Sequence, residues 1–135
     1  MTDYPITEIV GISRDQARLL AESGIQSSGD LLAYCYNRRT RESTASLTGL
    51  DPALLRRWTN MADLLRVGGL TPPAAELLEA AGVTSVLELR NWDADHLVAK
   101  IQRILAARGS ADRPPSETLA SEWVAVARQL TLIVQ

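Results

Sequence analysis

Leu and Ala recur at three- and four-residue spacing along most of this chain, and no segment sustains the apolar/polar alternation of a half-buried strand. The pattern predicts an all-α protein. Cap residues divide it into helices. Ser13 precedes a helix over 14–23, Ser27 one over 28–36, Asp51-Pro52 a long one to about 66, and Thr71-Pro72 one over 73–81. Ser85 opens a helix to about 90, Asp93 one to about 107, and Ser116 a last one to about 133. Each start offers a side-chain oxygen to an orphan N–H, or a proline where no N–H is missed. Gly24 and Gly82 stand where a helix must stop at positive φ. Residues 108–115, with Gly109, Ser110, Asp112 and Pro114, form the only connection rich in helix breakers.

The pattern is written twice. A shift of 58 carries Gly11-Ile12 onto Gly69-Leu70, Ala17 onto Ala75, Leu19-Leu20 onto Leu77-Leu78, Gly24 onto Gly82, Ser27 onto Ser85 and Leu31 onto Leu89. A further shift of seven carries Leu54, Trp58, Ala62 and Leu65 onto Leu119, Trp123, Ala127 and Leu130. What repeats is turn glycines and apolar spacing rather than charge, so the duplication preserves a fold and not a catalytic site. Leu54, Leu55, Trp58, Met61, Ala62 and Leu65 make one apolar stripe, and Leu119, Trp123, Val126, Ala127 and Leu130 make its equivalent. Both Trp residues are expected in the core. The expected architecture is a single domain over 1–135 built of two pseudo-equivalent lobes, 1–65 and 66–135, each ending in a long Trp-bearing helix.

Composition narrows the function classes. With 135 residues, 46% of them apolar, the chain can bury a core without disulfides or metals. Net charge is −2, and the acids are spread evenly over both halves, so no overall basic field draws in nucleic acid. No run of about 18 apolar residues and no basic-then-apolar leader is present, which points to a cytoplasmic protein without a membrane partner. The lone Cys35 fits a reducing compartment and reads as a small hydrophobe between Tyr34 and Tyr36.

The repeated segments Ile9-Val10-Gly11-Ile12-Ser13 and Val67-Gly68-Gly69-Leu70-Thr71, each followed by an Ala-x-Leu-Leu helix, resemble the helix-hairpin-helix family. The resemblance implies two short helices joined by a glycine hairpin whose backbone N–H groups hold a DNA phosphate without reading sequence. Ser13 and Thr71 replace the second hairpin glycine, and as N-caps their hydroxyls satisfy those same N–H groups. The hairpin residues Gly11, Ile12, Ser13, Gly68, Gly69 and Thr71 are therefore read as turns first. Over nearly its whole length the chain also resembles an uncharacterised bacterial family of tandem helix-hairpin-helix proteins. The carrying segments are Gly24-Ile25 to Leu32, Arg41-x3-Ala45-x2-Thr48-Gly49-Leu50, Leu54-x3-Trp58-x3-Ala62-Asp63-Leu64-x-Arg66, Leu97-x2-Lys100 and Trp123-x3-Ala127-x2-Leu130. This resemblance implies a fold and supplies no activity.

One local charge cluster stands out against the acidic background. Arg38, Arg39, Arg41, Arg56 and Arg57 face only Glu42 and Asp51 in the same stretch. If two helices pack antiparallel about the turn at 48–51, these arginines come together as an exposed patch for an anionic partner. Catalytic constellations are not evident. The single His96 lies in Asp93-Ala94-Asp95-His96, which a helix N-terminus explains by its dipole, and no nucleophile or phosphate loop accompanies it. The expected function is a non-enzymatic helical module for protein–protein interaction, without cofactor or metal, whose partner is acidic. The alternative is sequence-independent binding of a nucleic-acid backbone through the hairpins.

Overall fold

The computed structural model describes residues 3–135, and among them it contains helices and no strand. A 3-10 turn (Ile6–Glu8) is followed by α1 (Arg14–Glu22), α2 (Ser28–Cys35), α3 (Arg38–Thr48) and α4 (Pro52–Leu64). Then come α5 (Pro72–Ala80), α6 (Val86–Leu89), α7 (Ala94–Ala107) and α8 (Glu117–Gln129). None of these helices is long and apolar enough to cross a membrane.

The cap residues place the helix starts. Ser13, Ser27, Thr71, Ser85 and Ser116 each accept the N–H of the third residue onward, and Asp51 accepts that of Ala53. Caps of this kind contribute about 1 kcal/mol each. The start of α3 had no expected cap residue. Asn37 supplies it, in a reciprocal box with Thr40 at 2.8 and 3.1 Å. Asp93 occupies the N-cap position of α7 but makes no cap hydrogen bond; its carboxylate lies instead 3.5 Å from His96 Nδ1. Gly24 (φ +85°) and Gly82 (φ +87°) let the chain reverse at once after α1 and α5. The next amides, Ile25 and Val83, then bond back to the Leu20 and Leu78 carbonyls, and both side chains drop into the core. A side chain at either glycine would cost about 1–2 kcal/mol in this left-handed region.

α2 packs on α4 with α3 against both, while α8 packs on α6 and α7 with α5 against α7; α4 meets α5 at the joint. Bounds recur along the chain. α5 reproduces α1 displaced by 58 positions at both ends, and α8 reproduces α4 displaced by 65. Trp58 on α4 is wholly buried and Trp123 on α8 is 4% exposed, and the buried apolar side chains of both halves form one contiguous cluster.

The closing helix is shorter than the sequence pattern predicts. α8 ends at Gln129, Leu130 turns to extended dihedrals, and residues 131–135 are irregular rather than helical to 133. Tertiary bonds account for the difference: Arg66 Nη2 donates to the Thr131 carbonyl, Arg41 Nη2 to the Gln135 main-chain oxygen at 2.6 Å, and the Gln135 N–H to the Tyr36 carbonyl at 2.8 Å. A non-helical path meets these three partners, Tyr36, Arg41 and Arg66, and β-branched Thr131, Ile133 and Val134 suit it.

Candidate functional site

α3 and α4 pack together about Gly49 (φ +75°) and the Asp51 cap, which brings Arg38, Arg41 and Arg56 to one groove. Its volume is about 400 Å³, and it is lined by Arg38, Arg41, Glu42, Pro52, Ala53 and Arg56. The five arginines nevertheless have three different fates. Arg38 is exposed and pairs along its own helix with Glu42 at 3.0 Å. Arg39 and Arg56 are exposed and make no ion pair among the described residues.

Arg41 corrects the expectation of a uniformly exposed patch, because it is 5% exposed. Its guanidinium donates to the Cys35 carbonyl at 3.0 Å and to Gln135, where its side chain joins the end of α2 to the closing segment. Burial, and then the nearby charge of Arg56, lowers its pKa from the ordinary arginine value. Arg57 is the second departure. It leaves the groove and forks onto Glu79 of α5, with Nε to both carboxylate oxygens at 3.0 and 2.8 Å and Nη2 to Oε1 at 2.8 Å. That hydrogen bond is the main reason its pKa rises. Arg57 also lies over Gly11, whose missing Cβ would meet Nη1 at 3.6 Å. The exposed arginines on the groove are thus Arg38 and Arg56, while Arg39 is exposed outside its lining.

The two hairpins place their hydroxyls as the sequence suggests. Ser13 Oγ accepts the Gln16 N–H at 3.1 Å while Gln16 Oε1 accepts the Ser13 N–H at 2.9 Å. Thr71 Oγ1 accepts the Ala74 N–H at 3.3 Å, and Pro72 and Pro73 remove the two N–H groups between them. Gly68 and Gly69 are exposed and Ile12 is half-buried. Phosphate would find few donors here. The N-termini of α2 and α6 are likewise filled by the chain's own carboxylates. Asp3 Oδ1 accepts the Gly29 N–H at 2.8 Å, which lowers the Asp3 pKa, and Asp63 Oδ2 accepts the Val86 N–H at 2.9 Å. Asp30 and Glu88 accept the Gln26 and Thr84 amides at 2.9 and 3.1 Å.

The buried pair of Asp63 and Arg66 has no counterpart in sequence reasoning beyond the fixed offsets of its motif. Asp63 Oδ1 meets Arg66 Nη1 at 2.7 Å, and both side chains are 5% exposed or less. Together they tie the end of α4 to α6 and to Thr131. Such a pair can be seen in a sequence only as two residues three apart. Its role depends on partners 23 and 65 positions further on, at Val86 and Thr131.

Other chemistry-bearing side chains are dispersed. Cys35 is wholly buried, as its reading as a small hydrophobe requires, and burial pushes its thiol pKa up and away from the reactive thiolate. Asp93, Asp95 and His96 lie close together but fully in solvent. A family model described as a domain of unknown function (DUF4332) matches residues 10–130. The chain belongs to this DUF4332 family. No curated protein and no solved structure shows significant similarity to it. The match spans both hairpins, the α3–α4 groove and the Asp63–Arg66 pair, and it leaves out the N-terminal segment with Asp3 and the last residues of the closing segment.

Proposed function

We propose that this DUF4332 protein is a non-enzymatic helical module, built of two pseudo-equivalent helix-hairpin-helix lobes, that binds an acidic segment of a partner protein in the α3–α4 groove. One observation carries the reading. Arg38 and Arg56 are exposed on a walled groove that buried Arg41 also lines and in which Glu42 is the only acid, and Arg39 is exposed next to Arg38 in the chain. Guanidinium groups suit carboxylates through bidentate, charge-assisted bonds. The aliphatic walls from Pro52 and Ala53 suit the apolar part of a peptide. Two recurrences support the lobes: the helix bounds repeat at 58 and 65, and Trp58 and Trp123 recur on the last helix of each half. A cytoplasmic location suits the lone buried Cys35.

Backbone binding to nucleic acid is the weaker reading, because Ser13, Thr71 and two prolines already occupy or delete the hairpin donors. Fluorescence anisotropy with a labelled deca-glutamate peptide and with a short duplex DNA, across a salt series, tests both. The expected result is peptide binding that disappears in Arg38→Glu/Arg39→Glu/Arg56→Glu, with folding nearly unchanged because exposed charges contribute about 0–1 kcal/mol each. Duplex binding that the triple variant retains, and that Gly11 or Gly69 substitution removes, would transfer the function to the hairpins.

A further inference from the structure

Arg56 lines the groove between α3 and α4, and the same side chain also lines a second cavity, of about 240 Å³. One face of α4 joins the two. Pro52, Ala53 and Arg56 line the first and Arg56 and Asn60 the second, at the three- and four-residue spacing that aligns side chains along a helix. Ser85 and Leu87 at α6 and residues 132–135 of the closing segment wall the second cavity from other sides.

The two chambers differ in what they accept. Arg38 and Arg56 favour a carboxylate in the first. The second is lined by two acids and by no cation besides Arg56, and both acids are already engaged. Asp63 pairs with Arg66 and accepts the Val86 N–H, while Glu88 accepts the Thr84 N–H. A further carboxylate would be repelled there. Apolar surface is what this chamber offers instead. Leu87 and Leu132, 50% and 45% exposed, both stand on it beside half-buried Ile133 and Val134. The Asn60 side-chain amide, one turn from Arg56, makes no hydrogen bond among the described residues and is free for the main chain of a peptide.

We infer that the partner's acidic segment carries an aliphatic residue, whose side chain enters the second cavity while an acidic neighbour pairs with Arg56. The inference rests on the reading of the α3–α4 groove as an acidic-peptide site. Spacing follows from the helix that joins the cavities. Arg56 and Asn60 are about 6 Å apart along α4, a distance that an extended peptide covers in two residues. The recognised pattern is therefore an acid, any residue, then an aliphatic residue, in either chain direction. An aliphatic side chain in the cavity exchanges water for Leu87, Leu132, Ile133 and Val134, whereas an acid there would face Glu88.

The test measures fluorescence anisotropy of the labelled peptide EEEEEALAAA and of its reverse, AAALAEEEEE, each against a control with alanine in place of leucine. Charge is equal within each pair. At least one leucine peptide is expected to bind the full chain roughly tenfold tighter than its control, the ratio that burial of one leucine side chain supports. Leu87→Ser/Leu132→Ser is expected to remove that advantage while still binding the control. In the full chain, the methyl resonances of Leu87 and Leu132 are expected to shift with the leucine peptide and to stay in place with its control. If neither leucine peptide binds tighter than its control and the methyls do not move, while control binding is lost in Arg38→Glu/Arg39→Glu/Arg56→Glu, the aliphatic subsite is overturned and the groove reading survives. A leucine advantage that outlives the double serine substitution also overturns the subsite. Absence of binding by every peptide overturns both readings. Should the serine variant fail to fold, the peptide comparison and the methyl shifts on the full chain decide the matter.

Discussion

The first half closes its last two helices with a tight turn at 49–51, whereas the second uses residues 108–116 for the same connection. The tight turn draws α3 and α4 together and collects Arg38, Arg41 and Arg56 at one groove. The longer connection walls a cleft of about 390 Å³ with Asp112, Arg113 and Pro115, and Leu77, Ile101, Leu119 and Trp123 line it from the helices. α1 and α4 share their bounds with α5 and α8, but α2 and α3 differ in length from α6 and α7, so the difference in surface chemistry comes from the middle helices and their charges as well as from the connections. The ends of the long helices differ as well. Where Asp63 on α4 and Arg66 just beyond it form a buried pair, the positions 65 further on are Arg128 and Thr131. Arg128 instead exchanges bonds with Arg90, its Nε on the Arg90 carbonyl and the Arg90 guanidinium on its own. α4 and α8 each bury a Trp in the core. Their terminal polar residues answer to whatever the chain does next.

Substitutions at the paired tryptophans should break this comparison most severely. Trp58→Ala is expected to cost about 5 kcal/mol and Trp123→Ala nearer 3, within the range for large buried aromatics, because only Trp123 borders a cleft that can relax. Urea unfolding of the two variants measures it, and equal or reversed costs would mean that the cleft gives the second half no slack. Next in size is Asp63→Ala, which leaves the Arg66 charge buried and unanswered at about 3–5 kcal/mol. Arg128→Ala, at the corresponding place in the second half, should cost under about 1 kcal/mol because its partners are exposed.

Arg41→Ala should cost about 1–3 kcal/mol, since it strips buried carbonyls of their donor, whereas Arg39→Ala should leave the unfolding midpoint in place. An equal effect would erase the distinction between buried and exposed members of the arginine cluster. A smaller effect concerns acid. Arg108 hydrogen-bonds Glu76 at 2.6 and 2.9 Å and, with Arg57 contributing less, lowers the carboxyl from its ordinary 4.5. A depressed folded pKa means stability that is present above pH 4.5 and lost as pH falls through the folded value. Thermal unfolding between neutral pH and pH 3 should therefore show a decline that is shallower in Arg108→Gln. Smallest are the hairpin changes. Ser13→Gly and Thr71→Gly should cost only a few tenths of a kcal/mol each. If freeing donors creates any salt-sensitive DNA affinity, Ser13→Gly alone should do it, because Pro72 and Pro73 offer none. Strong DNA binding by the unmodified chain that vanishes on either change would reverse the hairpin assignment.

Most of the helical framework was legible because its signals are local. Ser13, Ser27, Thr71, Ser85 and Ser116 act within three residues of themselves, and the apolar stripe of α4 is a property of one helix. Two boundaries were misjudged for the same reason reversed. Asn37 was overlooked as a cap in a polar stretch, and the helix expected to reach 133 stops at Gln129 because its continuation finds partners elsewhere. In the candidate site the sequence identified the arginine cluster and its turn, but not the division within it. Nothing in Arg38-Arg39-x-Arg41 distinguishes the third arginine from the first two. Its burial follows from the carbonyls of Cys35 and Gln135 lying within reach.

By itself, then, the sequence determined an all-helical chain, its glycine turns, its repeated apolar faces and the tryptophans that those faces bury. These are set by periodicity and by short-range hydrogen bonding, which residues a few positions apart decide among themselves. Only the tertiary structure decided which charges remained free. Arg57 turned toward Glu79, Arg66 toward Asp63, and Arg41 inward beneath a closing segment that begins 89 positions after it. The fate of a guanidinium depends on which acceptors packing brings within about 3 Å, and those acceptors lie on other elements of the chain.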